Sequence, residues 1–204
     1  MNMFLSNDLF NFELNPFENF HKLFQEAQKN GSFDPTAMSL ATVDSRGRPH
    51  NRIVLLKQTT DEAFVFFTNY LSSKSNDIQE NPNVALIFHW APLAIQIRVE
   101  GIAEKVSRSE SEEYFNTRPR ISQLGAWASK QSEFIESYES LIVRLEKETE
   151  KFMNKTIPCP EYWGGYRIKP EVVEFWFGVE GRLHHRYCYE RANGPNWLRT
   201  MKSP

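Results

Sequence analysis

The stretch Ala37–Lys57, AMSLATVDSRGRPHNRIVLLK, decides the fold. Two runs of apolar and β-branched residues flank a polar break that contains Gly47. That pattern predicts strand, turn, strand: an antiparallel hairpin. The second arm ends in NRIVLLK, where Arg52 and Lys57 bracket a four-residue apolar run. Five positions apart on one strand, the two bases fall on opposite faces. They serve either two ligands or one ligand wrapped round an edge, and a strand flanked by snorkelling bases fits the same pattern.

Working outward, residues 1–14 read as irregular. Asn15 then caps a helix with Pro16 in its first turn, carrying Phe17, Phe20, Phe24 and Ala27 at helical spacing and stopped by Gly31. Beyond the hairpin, AFVFFTN reads as a strand and SSKSNDIQENPN as a short helix between turns. VALIFHW and AIQIRVEGIAEKV give two more strands, the second bending at Gly101. A helical block follows. Ser109 and Glu112 make a capping box for a helix ended by Pro119, ISQLGAWAS forms a second short helix, and 132–153 a longer amphipathic one. Strands are expected again at 166–169, 172–177 and 183–190, with a last short one near Trp197. This order predicts a mainly β chain with helices, an α+β fold built as an antiparallel barrel with attached helices. Residues 1–34 form an N-terminal segment and helix, and 35–204 the barrel domain, with a helical insertion at about 109–153.

With 204 residues the chain is long enough for one domain with a real core. A net charge of −2 excludes a general electrostatic field for nucleic acid, so the basic residues must act as local sites. No apolar run reaches the ~18 residues of a membrane span. The acidic N-terminus lacks the pattern of a signal peptide, and two cysteines outside any framework suit a reducing compartment, so a cytoplasmic protein is expected.

Two further stretches carry candidate chemistry. In YFNTRPRISQLGAWASKQS, Tyr114 and Arg118 lie four apart on one helix face, and Ser122 follows near the start of the next helix. These are donors of the kind that hold a phosphate. Gln131 and Ser132 stand at the expected start of the third helix and suit a second anion. In GRLHHRYCYE, strand alternation puts Arg182, His184 and Arg186 on one face and Leu183, His185 and Tyr187 on the other. His184 and His185 therefore point apart, and Cys159 and Cys188 show no ligand spacing, so no metal is expected. Three bases on one face need water, a phosphate or a carboxylate, and the pattern alone leaves that choice open. No nucleophile elbow, Walker loop or dinucleotide fingerprint occurs; if the chain is an enzyme, a bound cofactor carries the chemistry.

Taken together, LATVDSRGRPHNRIVLLK, VFFTN, YFNTRPRISQLGAWASKQS, WGGYRIKPEVVEFW and RLHHR resemble the pyridoxamine (pyridoxine) 5′-phosphate oxidase family in order and approximate spacing, over about residues 35–200. The resemblance implies a split β-barrel, a homodimer, and FMN in a cleft made by both subunits. It implies oxidation of pyridoxine or pyridoxamine 5′-phosphate to pyridoxal 5′-phosphate, with O2 reoxidising the flavin and giving H2O2. Arg52, Ile53, Val54, Leu55, Leu56 and Lys57 then correspond to the FMN-binding strand, with Phe67, Thr68, Lys74, Gln96, Gln131, Ser132, Trp176 and Arg186 at the other FMN positions. Lys57, Tyr114, Arg118 and Ser122 match the substrate-phosphate pocket, and Arg182 and His184 the pair over the substrate ring beside the reacting carbon. Several positions depart from the family pattern. Ser73 replaces one of a pair of phosphate cations, His185 an acid, and Phe67 a tyrosine; no basic cover is evident in residues 1–14, and the ending RTMKSP differs. The alternatives are a sister flavoenzyme with another substrate and a non-catalytic carrier of FMN or pyridoxal phosphate.

Overall fold

Ala37–Val43 (β1) and Pro49–Leu55 (β2) form the expected hairpin, paired from Ala37↔Leu55 to Val43↔Pro49 around the turn at Gly47. The computed structural model describes residues 9–192, 194 and 196–204, so the first eight of the irregular N-terminal residues lie outside the described ones. The remaining strands are Gln58–Thr59 (β3), Phe64–Asn69 (β4), Asn83–Trp90 (β5), Ile95–Lys105 (β6), Trp163–Phe177 (β7), His185–Arg191 (β8) and Trp197–Met201 (β9). All pair antiparallel, in the order β2-β1-β5-β6-β7-β4-β3, with β8 on β7 and β9 on β8.

The two ends of that order, β2 and β3, are one run of chain broken at residues 56–57. Leu56 N–H donates to Thr36 O and Lys57 N–H to Val65 O, both at 2.8 Å. The chain thus crosses from one edge of the sheet to the other, and the sheet curls round on itself. This kink overturns the expectation that Arg52 and Lys57 face opposite sides. Strand alternation stops at Leu56, which turns into the core, and Lys57 resumes in a new direction.

The two strands expected at 166–169 and 172–177 are one. β7 pairs with β4 through its first half and with β8 through its second, changing partner beside Pro170. A proline lacks the N–H a ladder needs, and the register slips there, between Glu100 and Gly101 on β6. Only glycine fits at 101: a Cβ would lie 2.2 Å from Lys169 O.

Helix α1, Pro16–Lys29, starts as the sequence indicates, with Asn15 and Glu18 capping reciprocally. It buries Phe17, Phe20, Leu23 and Ala27; the Phe20 ring meets Phe64 at 4.9 Å and Phe88 at 5.1 Å. Each such phenylalanine contributes about 1.5–3 kcal/mol of burial. Four more helices, α2 (Ser73–Glu80), α3 (Arg108–Thr117), α4 (Arg120–Ala128) and α5 (Tyr138–Lys151), lie outside the sheet path. The cap of helix α3 lies two residues before the expected one: Ser107 and Glu110 form the capping box, because β6 delivers the chain directly to Ser107. Ser109 and Glu112 share the same spacing but bond elsewhere, to Glu113 and Arg108. Helix α5 starts at Tyr138 with Ser137 as its cap, so Gln131 and Ser132 sit in the preceding loop, not at a helix start. Ser132 there takes a φ of 74°, which a helix excludes. A second, smaller core of Phe115, Leu124, Phe152, Ile157, Cys159 and Trp163 holds α3, α4 and α5 to the start of β7.

Candidate functional site

Between β2, β4, α2 and the α3–α4 junction lies a cleft of about 910 Å³. Thirteen expected site residues line it: Arg52, Ile53, Val54, Leu55, Lys57, Phe67, Thr68, Lys74, Tyr114, Arg118, Ser122, Gln131 and Ser132. Leu56 does not, because its side chain is core.

The inner wall is a cation site. Lys74, on the first turn of α2, is 7% exposed, and among the described residues no carboxylate lies within ion-pair distance of it. Its ammonium donates to three neutral oxygens: Thr68 Oγ1 and Ser72 Oγ at 3.0 Å, and Gln131 Oε1 at 3.2 Å. Burial, then the nearby Arg52 charge, pushes its pKa down to about 8. Burial likewise lowers the pKa of Arg52, against the opposing pull of Asp77. Ser72, the N-cap of α2, caps none of the helix amides and gives its hydroxyl to Asn69 O. Two desolvated cations beside an uncapped helix N-terminus suit an anion such as a phosphate.

The outer wall is a second cation site. Arg118 lies over the Trp163 ring at 4.8 Å, and its Nη1 is buried without a hydrogen-bond partner. Burial lowers its pKa, and burial raises that of Tyr114 beside it. An unpartnered buried guanidinium donor costs free energy unless a ligand meets it, so this wall also suits an anion. Phe67, Tyr114 and Trp163 stack in parallel, with Phe67 4.0 Å from Tyr114 and 5.5 Å from Trp163. Gly165 allows this, since a Cβ there would meet the Phe67 ring at 2.9 Å. Trp163 is not identified as a cleft residue from the sequence, and its position in the folded chain brings it there; Ser73, expected where the family has a phosphate cation, lines the cleft too.

Gln96, Trp176, Arg182, His184 and Arg186 lie elsewhere. Gln96 pairs across strands with Trp176, and Trp176 with Arg186. The shared strand face expected for Arg182, His184 and Arg186 does not form. β8 begins only at His185, because Gly181 (φ 74°) and Arg182 (φ 61°) both take left-handed conformations that fold 180–182 into a 3-10 turn. His184 instead packs on Trp176 at 4.6 Å, its Nδ1 accepting from Val179 N–H. Arg186 is held in place by a carboxylate of the same chain. The buried carboxylate of Glu174 takes it in two-pronged fashion at 3.0 and 3.1 Å and raises its pKa. Gly165 faces Phe67 at one end of β7 and Trp176 lies eleven residues further on, a strand path of about 36 Å at ~3.3 Å per residue. None of these five residues lines the cleft that holds the other thirteen.

A curled antiparallel sheet of this strand order, with a cleft at its edge, defines a split-barrel protein. Solved structures of that class share the fold. A pyridoxamine 5′-phosphate oxidase-related, FMN binding protein from Nostoc punctiforme superposes with a TM-score of 0.75 over 95% of this chain and 100% of that one, at 16% identity. PhzG from Burkholderia lata, solved with tetrahydrophenazine-1-carboxylic acid, superposes at 0.91 over 98% of both chains with 26% identity. Residues 24–152 match the family described as pyridoxamine 5′-phosphate oxidase, and 163–204 match the pyridoxine 5′-phosphate oxidase C-terminal dimerisation region. The chain belongs to the pyridoxamine 5′-phosphate oxidase family, a family of oxidoreductases. Its similarity to named relatives is high. It is 47% identical over 93% of its length to pyridoxine/pyridoxamine 5′-phosphate oxidase 2 of Hydrogenovibrio crunogenus, covering 89% of that protein. It is 50% identical, again over 93%, to the corresponding oxidase of Rubrobacter xylanophilus, covering 87%. These matches support a flavin cofactor. None of the described helices is long and apolar enough to cross a membrane.

Proposed function

We propose that this protein binds FMN and oxidises pyridoxine 5′-phosphate or pyridoxamine 5′-phosphate to pyridoxal 5′-phosphate with O2 as acceptor. The observation that carries this reading is the presence, in one cleft, of two sets of candidate phosphate donors: Arg52 with Lys74 on the inner wall and Arg118 with Tyr114 on the outer, Lys57 and Ser122 also lining the cleft. One suits the flavin phosphate and the other the substrate phosphate. A bound flavin would supply the hydride acceptor for the substrate carbon and the route for two electrons to O2, giving H2O2.

The chain's own residues bind and orient. Lys74 and Arg52 hold one phosphate at the N-terminus of α2, with Thr68 and Gln131 fixing the ammonium. Arg118, held against Trp163 on the cleft wall, offers its guanidinium charge to the other phosphate. Anchoring the substrate at this remote group supplies binding energy for placing the reacting carbon, which is where orientation gains most in rate. Ile53 and Leu55 are exposed apolar residues on the cleft wall and suit a flat ring system.

Gln96, Trp176, Arg182, His184 and Arg186 complete the site from a second subunit, Arg182 and His184 lying over the substrate ring. The absence of these five from the lining of the first cleft, together with the matched dimerisation region, supports this. The exposed Leu183, Leu198 and Met201, all within the matched dimerisation region, give the apolar surface for the homodimer. FMN-loaded protein is mixed without oxygen with pyridoxine 5′-phosphate while the visible spectrum is recorded. Bleaching of the flavin band, followed by pyridoxal 5′-phosphate on admitting air, is the expected result. A spectrum that stays oxidised refutes the oxidase reading and favours a carrier or a sister enzyme.

A further inference from the structure

Arg52 is held from behind. Its Nη1 donates to Leu40 O at 3.1 Å and to Thr42 Oγ1 at 2.7 Å. The Thr42 hydroxyl donates in turn to Asp77 Oδ2 at 2.6 Å, and the same oxygen meets His50 Nδ1 at 3.0 Å and Arg52 Nη2 at 3.7 Å. Thr42 is fully buried and Asp77 nearly so. The four residues come from β1, β2 and α2, and of them only Arg52 lines the cleft.

We propose that Asp77 and Thr42 are positioning residues for anion binding, locking the Arg52 guanidinium so that its remaining edge faces the cleft. The inference rests on the reading that this wall takes the flavin phosphate. A guanidinium is planar, with five donors in a fixed fork. Two acceptors on Nη1 and a carboxylate beside Nη2 therefore set its plane as well as its place. Without them, a long side chain on an edge strand samples many rotamers, and few present two donors to one phosphate. Asp77 is the sole carboxylate within 4 Å of Arg52 among the described residues. Its charge also offsets the cost of burying Arg52 beside Lys74. His50, half-exposed, props the carboxylate from the solvent side.

Asp77 has a second electrostatic effect, because its negative charge opposes an incoming phosphate. Thr42→Val separates the two effects: it cuts the tether between Arg52 and Asp77 and changes no charge. Dissociation constants for FMN and riboflavin are measured by quenching of flavin fluorescence on flavin-free wild-type, Thr42→Val and Asp77→Asn proteins, with a thermal melt of each. The expected result is that Thr42→Val weakens FMN about tenfold, Asp77→Asn weakens it at least about threefold, and riboflavin, lacking the phosphate, moves less than about twofold. Equal losses for FMN and riboflavin would show a purely structural role and overturn the proposal. Tighter FMN binding by Asp77→Asn would overturn it too, leaving the carboxylate as a repulsive neighbour only. A wild type that binds both flavins equally refutes the phosphate reading of the wall itself. A wild type with a strong FMN preference that both variants keep refutes only the positioning role.

Discussion

Raising the pH titrates Lys74 and so tests the inner cation site without a mutation. The ammonium is buried, is bonded to neutral oxygens only, and has a pKa pushed from 10.5 to about 8 by burial and by Arg52. About nine-tenths of the flavin-free protein carries the charge at pH 7, and about one-eleventh at pH 9. A phosphate beside Lys74 favours its charged form, so binding at pH 9 must take up a proton. FMN affinity is therefore expected to fall about tenfold between pH 7 and pH 9, read by fluorescence quenching. Riboflavin should bind independently of pH over the same range, and Lys74→Met should bind FMN weakly with a flat profile. The same depressed pKa has the opposite consequence for stability. Between about pH 8 and 10.5 the unfolded chain holds the proton that the folded one has lost, so Lys74 contributes a rise in flavin-free stability with pH across that window, absent in Lys74→Met. An FMN dissociation constant that stays level from pH 7 to pH 9, or falls off identically in Lys74→Met, refutes the assignment.

Three substitutions probe other parts of the structure. Ser73→Arg adds a cation at the exposed, cleft-lining start of α2 and should tighten FMN about 10- to 100-fold, the worth of one charge-assisted bond; unchanged affinity would show that Ser73 lies out of reach of the phosphate. Arg118→Met should raise KM for pyridoxine 5′-phosphate about 10- to 100-fold while leaving FMN affinity within twofold and the melting temperature unchanged or higher, since it removes a buried cation with an unpartnered donor. Gly101→Ala forces a Cβ against Lys169 O and should lower stability by about 1–3 kcal/mol in a denaturant titration; a neutral result would mean that the bulge relaxes freely.

Local chemistry made much of this fold legible. The hairpin at 37–57, the Asn15 cap and the short helices around residues 73–80 and 120–128 follow from turn residues, caps and periodicity within a few positions of each other. Misreadings arose where distant residues decide. Two Ser-x-x-Glu pairs compete to open α3, and the end of β6 selects Ser107. Pro170 looks like a strand break in one dimension and is a bulge in three, because Gly101 on the neighbouring strand has no Cβ and lets the backbone at Lys169–Pro170 pass close by as the register slips. Alternation suggested a face shared by Arg182, His184 and Arg186, but successive left-handed residues put the first two outside the strand.

The sequence by itself determined which residue types are present for phosphate chemistry and, through the family they resemble, what those residues serve. It also determined the antiparallel character of the sheet, since both depend on contiguous pattern. Tertiary structure alone decided which residues meet. The kink at Leu56–Lys57 puts Arg52 and Lys57 on one cleft, Asp77 and Glu174 come from other elements to engage Arg52 and Arg186, and the length of β7 separates Trp176 from Phe67. Each is a contact across many residues of chain, and its geometry depends on how whole strands curve and pack, which no local pattern encodes.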